Sequence, residues 1–405
     1  MHVLAFPAGV LCILAVLLDA FQTVILPRRP SGRFRLTRLF YLATWHPWRW
    51  ATRRVRGSRR RETVLSVYGP MSLVFLTAVW AAFLVLGFGL LFYALHSPFS
   101  DPLAVRLGER SGSPGSLGAD IGRDLLSDIY VSGTTLFTLG LGDVVPHSRW
   151  VRALIVLECG TGLAFVAVVI GYFPVFYTAF SRREVNISLL DARAGSPPSS
   201  AELLRRHAFE GGPEAMIALL AEWERWAAEL LESHISYPLL CYFRSQHTNQ
   251  SWLGALTAVL DTCALIVSSV GDRTGRQAQL TFAMARHALV DLSQVFMLDP
   301  VAPDQDRLPE PSFRHAHDLL CQVGVRVARD DASQTRLREM RALYEPYAEC
   351  LSRYLLMSLP PFVSQAPSKD NWRSVAKVRE QARAAASVLH PHTAPQPAEE
   401  EHHIF

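Results

Sequence analysis

Thr138-Leu139-Gly140-Leu141-Gly142-Asp143, followed by Val144-Val145-Pro146, lies between two long apolar stretches and decides how the chain is read. Glycine at alternate positions permits positive φ values that other residues avoid. A strand of this kind turns successive carbonyls to one side. Four copies around an axis would stack rings of oxygen able to replace the water around a dehydrated cation. Non-helical backbone at membrane depth is tolerated only where it is buried in protein or lines a wet cavity. Residues 124–137, just before, have the pattern of a short helix that is too brief and too polar to span a bilayer. A plain Gly-rich turn between hairpin helices would not need the threonine, the two glycines and the aspartate at these spacings.

Working outward, three stretches are almost free of charge: Phe6 to Leu26, Val67 to Leu95 and Ala153 to Phe180. Each reaches the roughly 20 residues that carry a helix across a ~30 Å hydrocarbon core. The 405 residues are 50% hydrophobic and 19% charged, against about 25% in ordinary soluble domains, so a purely soluble protein is excluded. The six cysteines, Cys12, Cys159, Cys241, Cys263, Cys321 and Cys350, show no CxxC spacing and suggest neither a disulfide framework nor a zinc site.

Charge sets the direction of threading. Twelve arginines lie between Arg28 and Arg61, and no acid interrupts them. Such a cluster marks the cytoplasmic side. The first apolar stretch has no basic residues before it and no small-residue cleavage site after it, unlike a signal peptide. The third ends in Arg182-Arg183, again inside. The Gly- and Ser-rich residues 96–125 are then outside, and everything after Ser181 is cytoplasmic. Within the basic linker, Trp45, Trp48 and Trp50 and the run Leu39-Phe40-Tyr41-Leu42 alternate with arginine. They suit an interfacial helix on anionic lipid, or a folded connector whose rings pack on helix ends.

Tyr130 to Pro146 resembles the pore region of potassium channels. Pro146, Trp150, Arg152 and Gly162 stand three, seven, nine and nineteen residues after Asp143. That spacing is similar to the outer mouth and inner helix of two-helix bacterial potassium channels, over roughly residues 66–180. The resemblance implies a filter formed by Thr138, Leu139, Gly140, Leu141 and Gly142. The carbonyls of the first four, with the Thr138 hydroxyl, would bind potassium, the permeant ion and not a cofactor. It also implies that Asp143 sits behind the filter, that Thr134 and Thr135 pack there too, and that Gly162 is an inner-helix hinge. Four loops make a filter, so a homotetramer is expected. Two positions depart from the pattern. Leu139 and Leu141 replace the usual valine and tyrosine, removing an aromatic cuff, although leucine at the second site occurs in some two-pore-domain potassium channels. Thr134 stands where some relatives place a carboxylate, so Asp143 needs another partner, Tyr130 or a water.

Glu158, one turn before Gly162, either supports the filter wall by hydrogen bonds or lies protonated or snorkelling near the outer interface. Asp19 reads as a cap or a contact with the arginine linker. Leu163, Val166, Ile170 and Thr178 recur from Gly162 at helical spacing as a cavity wall. Pro174 should bend the helix, either as a gate or to steer the chain into the next domain.

After Arg183, helical periodicity covers about 201–208, 213–234, 251–270, 274–297, 312–328, 332–357 and 371–389, with Ser200 as an N-cap. The fold class expected is an all-α membrane protein, with three spanning helices, a re-entrant pore helix and filter, and an all-α cytoplasmic bundle. Its parts are residues 1–65 (first span and linker), 66–180 (pore module), 181–390 (cytoplasmic helices) and a disordered tail, 391–405. No Gly-rich turn after a strand, calcium loop or catalytic constellation is evident, and His234, His247 and His287 are scattered. The chain is read as a potassium-selective channel subunit of the cell membrane, gated at the inner helices, and not an enzyme, with lipid at the linker, no nucleic-acid partner and an unassigned cytoplasmic ligand. The alternatives are a weakly selective cation channel and a membrane-anchored helical sensor whose pore-like loop does not conduct.

Overall fold

The computed structural model describes residues 2–26, 35–95, 99–100, 117–146, 148–246, 249–271 and 273–364. Arg28, Arg29, Arg33, His247, most of the segment 96–125, the helix expected at 371–389 and the tail 391–405 lie outside the described residues. The fold is helical, and among the described residues the one ladder is a two-residue antiparallel pair, β1 (Phe99–Ser100) with β2 (Val145–Pro146).

The membrane part comprises α1 (His2–Ala20, extended by a π-turn through Ile25), α2 (Leu36–Arg53), α3 (Ser58–Ala94), α4 (Leu117–Leu136) and α5 (Arg149–Ala194). At 1.5 Å per residue, the 46 residues of α5 measure about 70 Å, over twice the hydrocarbon core. Its last turns must therefore stand clear of the apolar slab. The sequence places the end of this helix near Phe180, but it runs on to Ala194, passing through Pro174 while remaining helical on both sides. α1 and α3 cross where Gly9 meets Gly87. A Cβ on Gly9 would come within 2.6 Å of the Gly87 carbonyl oxygen, so only small residues let these backbones touch.

α6 (Ser200–Arg206), α7 (Gly212–Ser236), α8 (Trp252–Leu265, then a π-turn through Val270), α9 (Gly275–Val295), α10 (Glu310–Gln322), α11 (Asp331–Ala342) and α12 (Glu345–Leu355) make a helical domain. Side-chain caps start three of them: Ser199 accepts from the Glu202 amide, Ser251 from Gly254 and Asp330 from Ser333. The first cap is one residue earlier than the expected Ser200, whose hydroxyl instead donates to the Phe362 carbonyl. The single helix expected at 332–357 is two, because Pro346 has no amide to offer a continuing ladder and sits instead in the first turn of α12.

Among the described residues, four helices are long and apolar enough to cross a membrane: Val3–Val24, Ser58–Ala94, Arg149–Ala194 and Trp252–Val270. The last differs in setting. Its most apolar window is 89% buried inside the protein, against 11–44% for the others, so packing already accounts for its hydrophobicity.

Candidate functional site

The site grows from the C-terminal end of α4. The Phe137 amide still bonds the Gly133 carbonyl, and Thr138 bonds Thr135 at 2.9 Å. The next two amides, Leu139 and Gly140, both donate to the Thr134 carbonyl, at 2.8 and 3.3 Å. In a trans peptide the C=O points opposite the N–H. The carbonyls of Thr138 and Leu139 are thus turned together, away from the end of α4. Positive φ falls at alternate residues, Thr138 (57°), Gly140 (54°) and Gly142 (73°). Two of these are glycines, which adopt it freely; Thr138 does so at a cost of about 1–3 kcal/mol. The side chains of Leu139 and Leu141 are 62% and 61% exposed in the single chain.

Hydrogen bonds brace this segment. The Tyr130 hydroxyl donates to Asp143 at 2.7 Å, and the Val144 amide donates to the other carboxylate oxygen at 3.1 Å. Thr134 Oγ1 turns back to the Val131 carbonyl. Ser132, fully buried on α4, bonds both the Glu158 carboxyl of α5 and the Val85 carbonyl of α3. Three helices meet there through one hydroxyl. Glu158 itself is fully buried, and its second oxygen has no hydrogen-bond partner. Gly162 lies against the end of α4, where a Cβ would fall 2.1 Å from the Leu136 carbonyl oxygen. Leu163, Val166 and Ile170 are exposed along α5 in the single chain.

Residues 80–179 match the ion-channel family model. This segment is an ion-channel domain. It covers α4, the filter-like segment and the membrane portion of α5, and most of the 66–180 module expected from the sequence. The chain is also similar to the uncharacterized membrane protein YdjJ of Bacillus subtilis (strain 168), at 24% identity over 308 residues, covering 76% of this chain and 82% of the relative. No solved structure matches. The relative carries the likeness well beyond the ion-channel domain, into the helical domain.

Below the channel domain, Asp19, Trp45 and Arg183 gain definite partners, and residues that the sequence did not single out join them. Asp19 is the cap that the sequence suggested: it accepts from the Thr37 amide (3.0 Å) and hydroxyl (2.6 Å) at the start of α2 and from Trp80 Nε1 (2.9 Å), with Arg35 at 3.6 Å. Trp45 is buried between Tyr68 of α3 and Tyr242 of the helical domain, and its Nε1 donates to the Tyr354 carbonyl. Its ring is a packing element of a folded connector, while Trp50 and Leu39 on the same helix remain exposed.

Arg183 is 3% exposed. It donates to the carbonyls of Leu240 (2.9 Å) and Phe243 (3.0 Å), pairs with Glu184 and touches His234 Nε2 at 3.3 Å. Burial, reinforced by that guanidinium, holds the His234 pKa well below its ordinary value. Deeper in the domain, Arg307 reaches Asp261 (2.6 Å) and Glu345 (3.2 Å), and Arg341 reaches Glu345 (3.0 Å) and Asp306. Both guanidiniums lie about 5 Å over the Phe362 ring. Burial alone would lower the Arg307 pKa, but the Asp261 carboxylate outweighs it and raises it, whereas burial keeps Glu345 above the ordinary glutamate value. This network ties α8, α11 and α12 together. Among the described residues, no cluster of His, Cys, Asp and Glu has the makings of a metal site.

Proposed function

We propose that the chain is one of four identical subunits of a potassium-selective channel of the cell membrane. The observation that carries this reading is the alternation of left-handed backbone at Thr138, Gly140 and Gly142, with the Leu139 and Gly140 amides anchored on Thr134. Carbonyls held on one side, at Thr138, Leu139, Gly140 and Leu141, replace the hydration shell of a potassium ion when four copies surround an axis. Gly142 and Asp143 close the outer end, with Tyr130 holding the carboxylate. α1, α3 and α5 cross the bilayer with the arginine-rich side inside; α8, enclosed by its own domain, does not. The exposed Leu39 and Trp50 of α2 face the inner lipid surface.

Gating in this reading passes from the helical domain to α5. Tyr172, Phe176 and Phe180 pack on Tyr237 and Phe243, with ring centres 4.8–5.6 Å apart, directly around and below Pro174. Movement of the domain therefore pulls on the inner helix at its proline. Purified protein in liposomes should take up rubidium down a potassium gradient and be blocked by barium; absence of flux from correctly assembled protein would overturn the assignment and leave the anchored sensor. A weakly selective cation channel is the second reading, favoured by Leu139 and Leu141 in place of a ring-forming aromatic. Reversal potentials in mixed potassium and sodium separate the two.

A further inference from the structure

The Ser132 hydroxyl on α4 stands between two oxygens, the Val85 carbonyl of α3 at 2.9 Å and the Glu158 carboxyl of α5. A serine hydroxyl has one hydrogen to donate, and a backbone carbonyl has none. If Glu158 is ionised, one of the two contacts sets oxygen against oxygen with no hydrogen between them. Both become hydrogen bonds only when the carboxyl brings a proton of its own, donating to Ser132 Oγ while Ser132 donates to Val85. The surroundings point the same way. Ser132 and Glu158 are both fully buried, and the second Glu158 oxygen has no hydrogen-bond partner. The titratable groups on the segments packed there are Tyr93 of α3, Asp128 and Tyr130 of α4, and Arg149, Arg152 and Cys159 of α5. None of them bonds or pairs with the Glu158 carboxyl. A carboxylate at this place would be a buried charge without a counter-charge, far costlier than a neutral acid with one free carbonyl oxygen.

We infer that Glu158 is a neutral carboxylic acid in the folded protein and a positioning residue for the filter, fixing α4 against α3 and α5 through Ser132. Ser132 stands two residues before Thr134, whose carbonyl takes the Leu139 and Gly140 amides. One turn after Glu158, Gly162 abuts the Leu136 carbonyl at the end of the same helix. The hydrogen bond and that backbone contact therefore hold α5 on the last turns of α4 at two points. A shift of α4 along either neighbour breaks the first point and moves the carbonyl on which the filter-like segment is anchored. The count of hydrogens stands on the geometry alone, whereas the consequence for conduction rests on the proposed channel function.

The test begins with infrared spectroscopy of the purified full-length protein at pH 7. Ordinary glutamates ionise near about pH 4.3, so they contribute carboxylate bands there. Subtracting the spectrum of Glu158→Gln from that of the wild type should leave the C=O band of a protonated carboxyl. A difference holding carboxylate bands alone would overturn the neutral acid. Glutamine keeps the shape and replaces the O–H donor by N–H, so Glu158→Gln should retain rubidium flux in liposomes within about twofold of wild type. Glu158→Leu and Ser132→Ala each break the relay and should lower flux at least roughly tenfold in protein that still elutes as the assembled species. Flux of the glutamine variant as low as that of the leucine variant, or wild-type flux in both relay-breaking variants, would overturn the positioning role. If either of those two fails to assemble, the infrared difference and the glutamine variant still decide. A wild type that shows the protonated band and no flux would count against the channel reading alone.

Discussion

At Gly140, φ is +54°, and no atom lies within 4 Å of where a Cβ would be. Alanine there meets no clash within the chain, but the left-handed conformation costs an L-residue about 1–2 kcal/mol. The backbone therefore relaxes, and relaxation turns the Gly140 carbonyl. Gly140→Ala should leave folding and assembly intact by size-exclusion chromatography and abolish rubidium flux; wild-type flux would argue against carbonyl coordination. Tyr130→Phe makes a milder change. It removes one charge-assisted hydrogen bond to Asp143 and leaves the carboxylate bonded to the Val144 amide. Reversal potentials should shift toward lower potassium-over-sodium discrimination while current persists. Some of this site was open to reading from composition alone. Because Thr134 lacks a carboxyl, the sequence points to Tyr130 or a water as the partner of Asp143, and Tyr130 is the one that bonds it. The left-handed Thr138 is not open to it, because threonine carries no mark of positive φ; the Thr135 carbonyl, taking the Thr138 amide, and the Thr134 carbonyl, collecting the next two, hold that residue there.

For helices, the informative contact is Gly162 against the end of α4. A hinge glycine and a contact glycine have the same spacing in a sequence, and the structure supplies the second role: a Cβ would sit 2.1 Å from the Leu136 carbonyl oxygen, backbone that cannot step aside cheaply. Gly162→Ala should separate α5 from α4 and lower flux at least tenfold, together with a fall in thermal stability of about 1–3 kcal/mol, the range for overpacking; a variant with reduced flux and unchanged stability would restore the hinge. The same blindness explains Arg183. An arginine ending an apolar run marks a membrane boundary on average, and the α5 register places this one inside protein, bonded to the Leu240 and Phe243 carbonyls. Periodicity located most helices because burial on one face repeats every 3.6 residues. It merged α11 and α12 because the apolar stripe continues across Leu343 and Tyr344, and only Pro346 breaks it.

The molecule as a whole is two helical bodies joined by a buried, partly charged seam, and that seam gives it a pH dependence. His234 lies inside the helical domain, 3.3 Å from Arg183, with Glu184 and Cys241 on the far sides of that guanidinium. If Nε2 accepts from Arg183, Nδ1 donates to the Leu230 carbonyl at 2.9 Å, and the ring is satisfied only when neutral. Unfolded histidine takes up a proton near pH 6.5. Folded His234 resists it, because burial and the guanidinium hold its pKa well below that. The unfolded chain therefore binds more protons below about pH 6.5, so stability is full above that value and is lost as the pH falls, by at most about 1.4 kcal/mol per unit for one group. His207, whose pKa burial also lowers, acts in the same direction, whereas Glu345, whose pKa burial raises, acts against it. Melting of the purified protein should drop between pH 7 and pH 5 to the extent that the two histidines prevail. His234→Gln, which keeps an acceptor for Arg183 and cannot titrate, should make that slope markedly shallower. A slope identical in the variant would mean that His234 is protonated to the same extent in the folded and unfolded chain over this range, and would remove it as the source of the pH dependence.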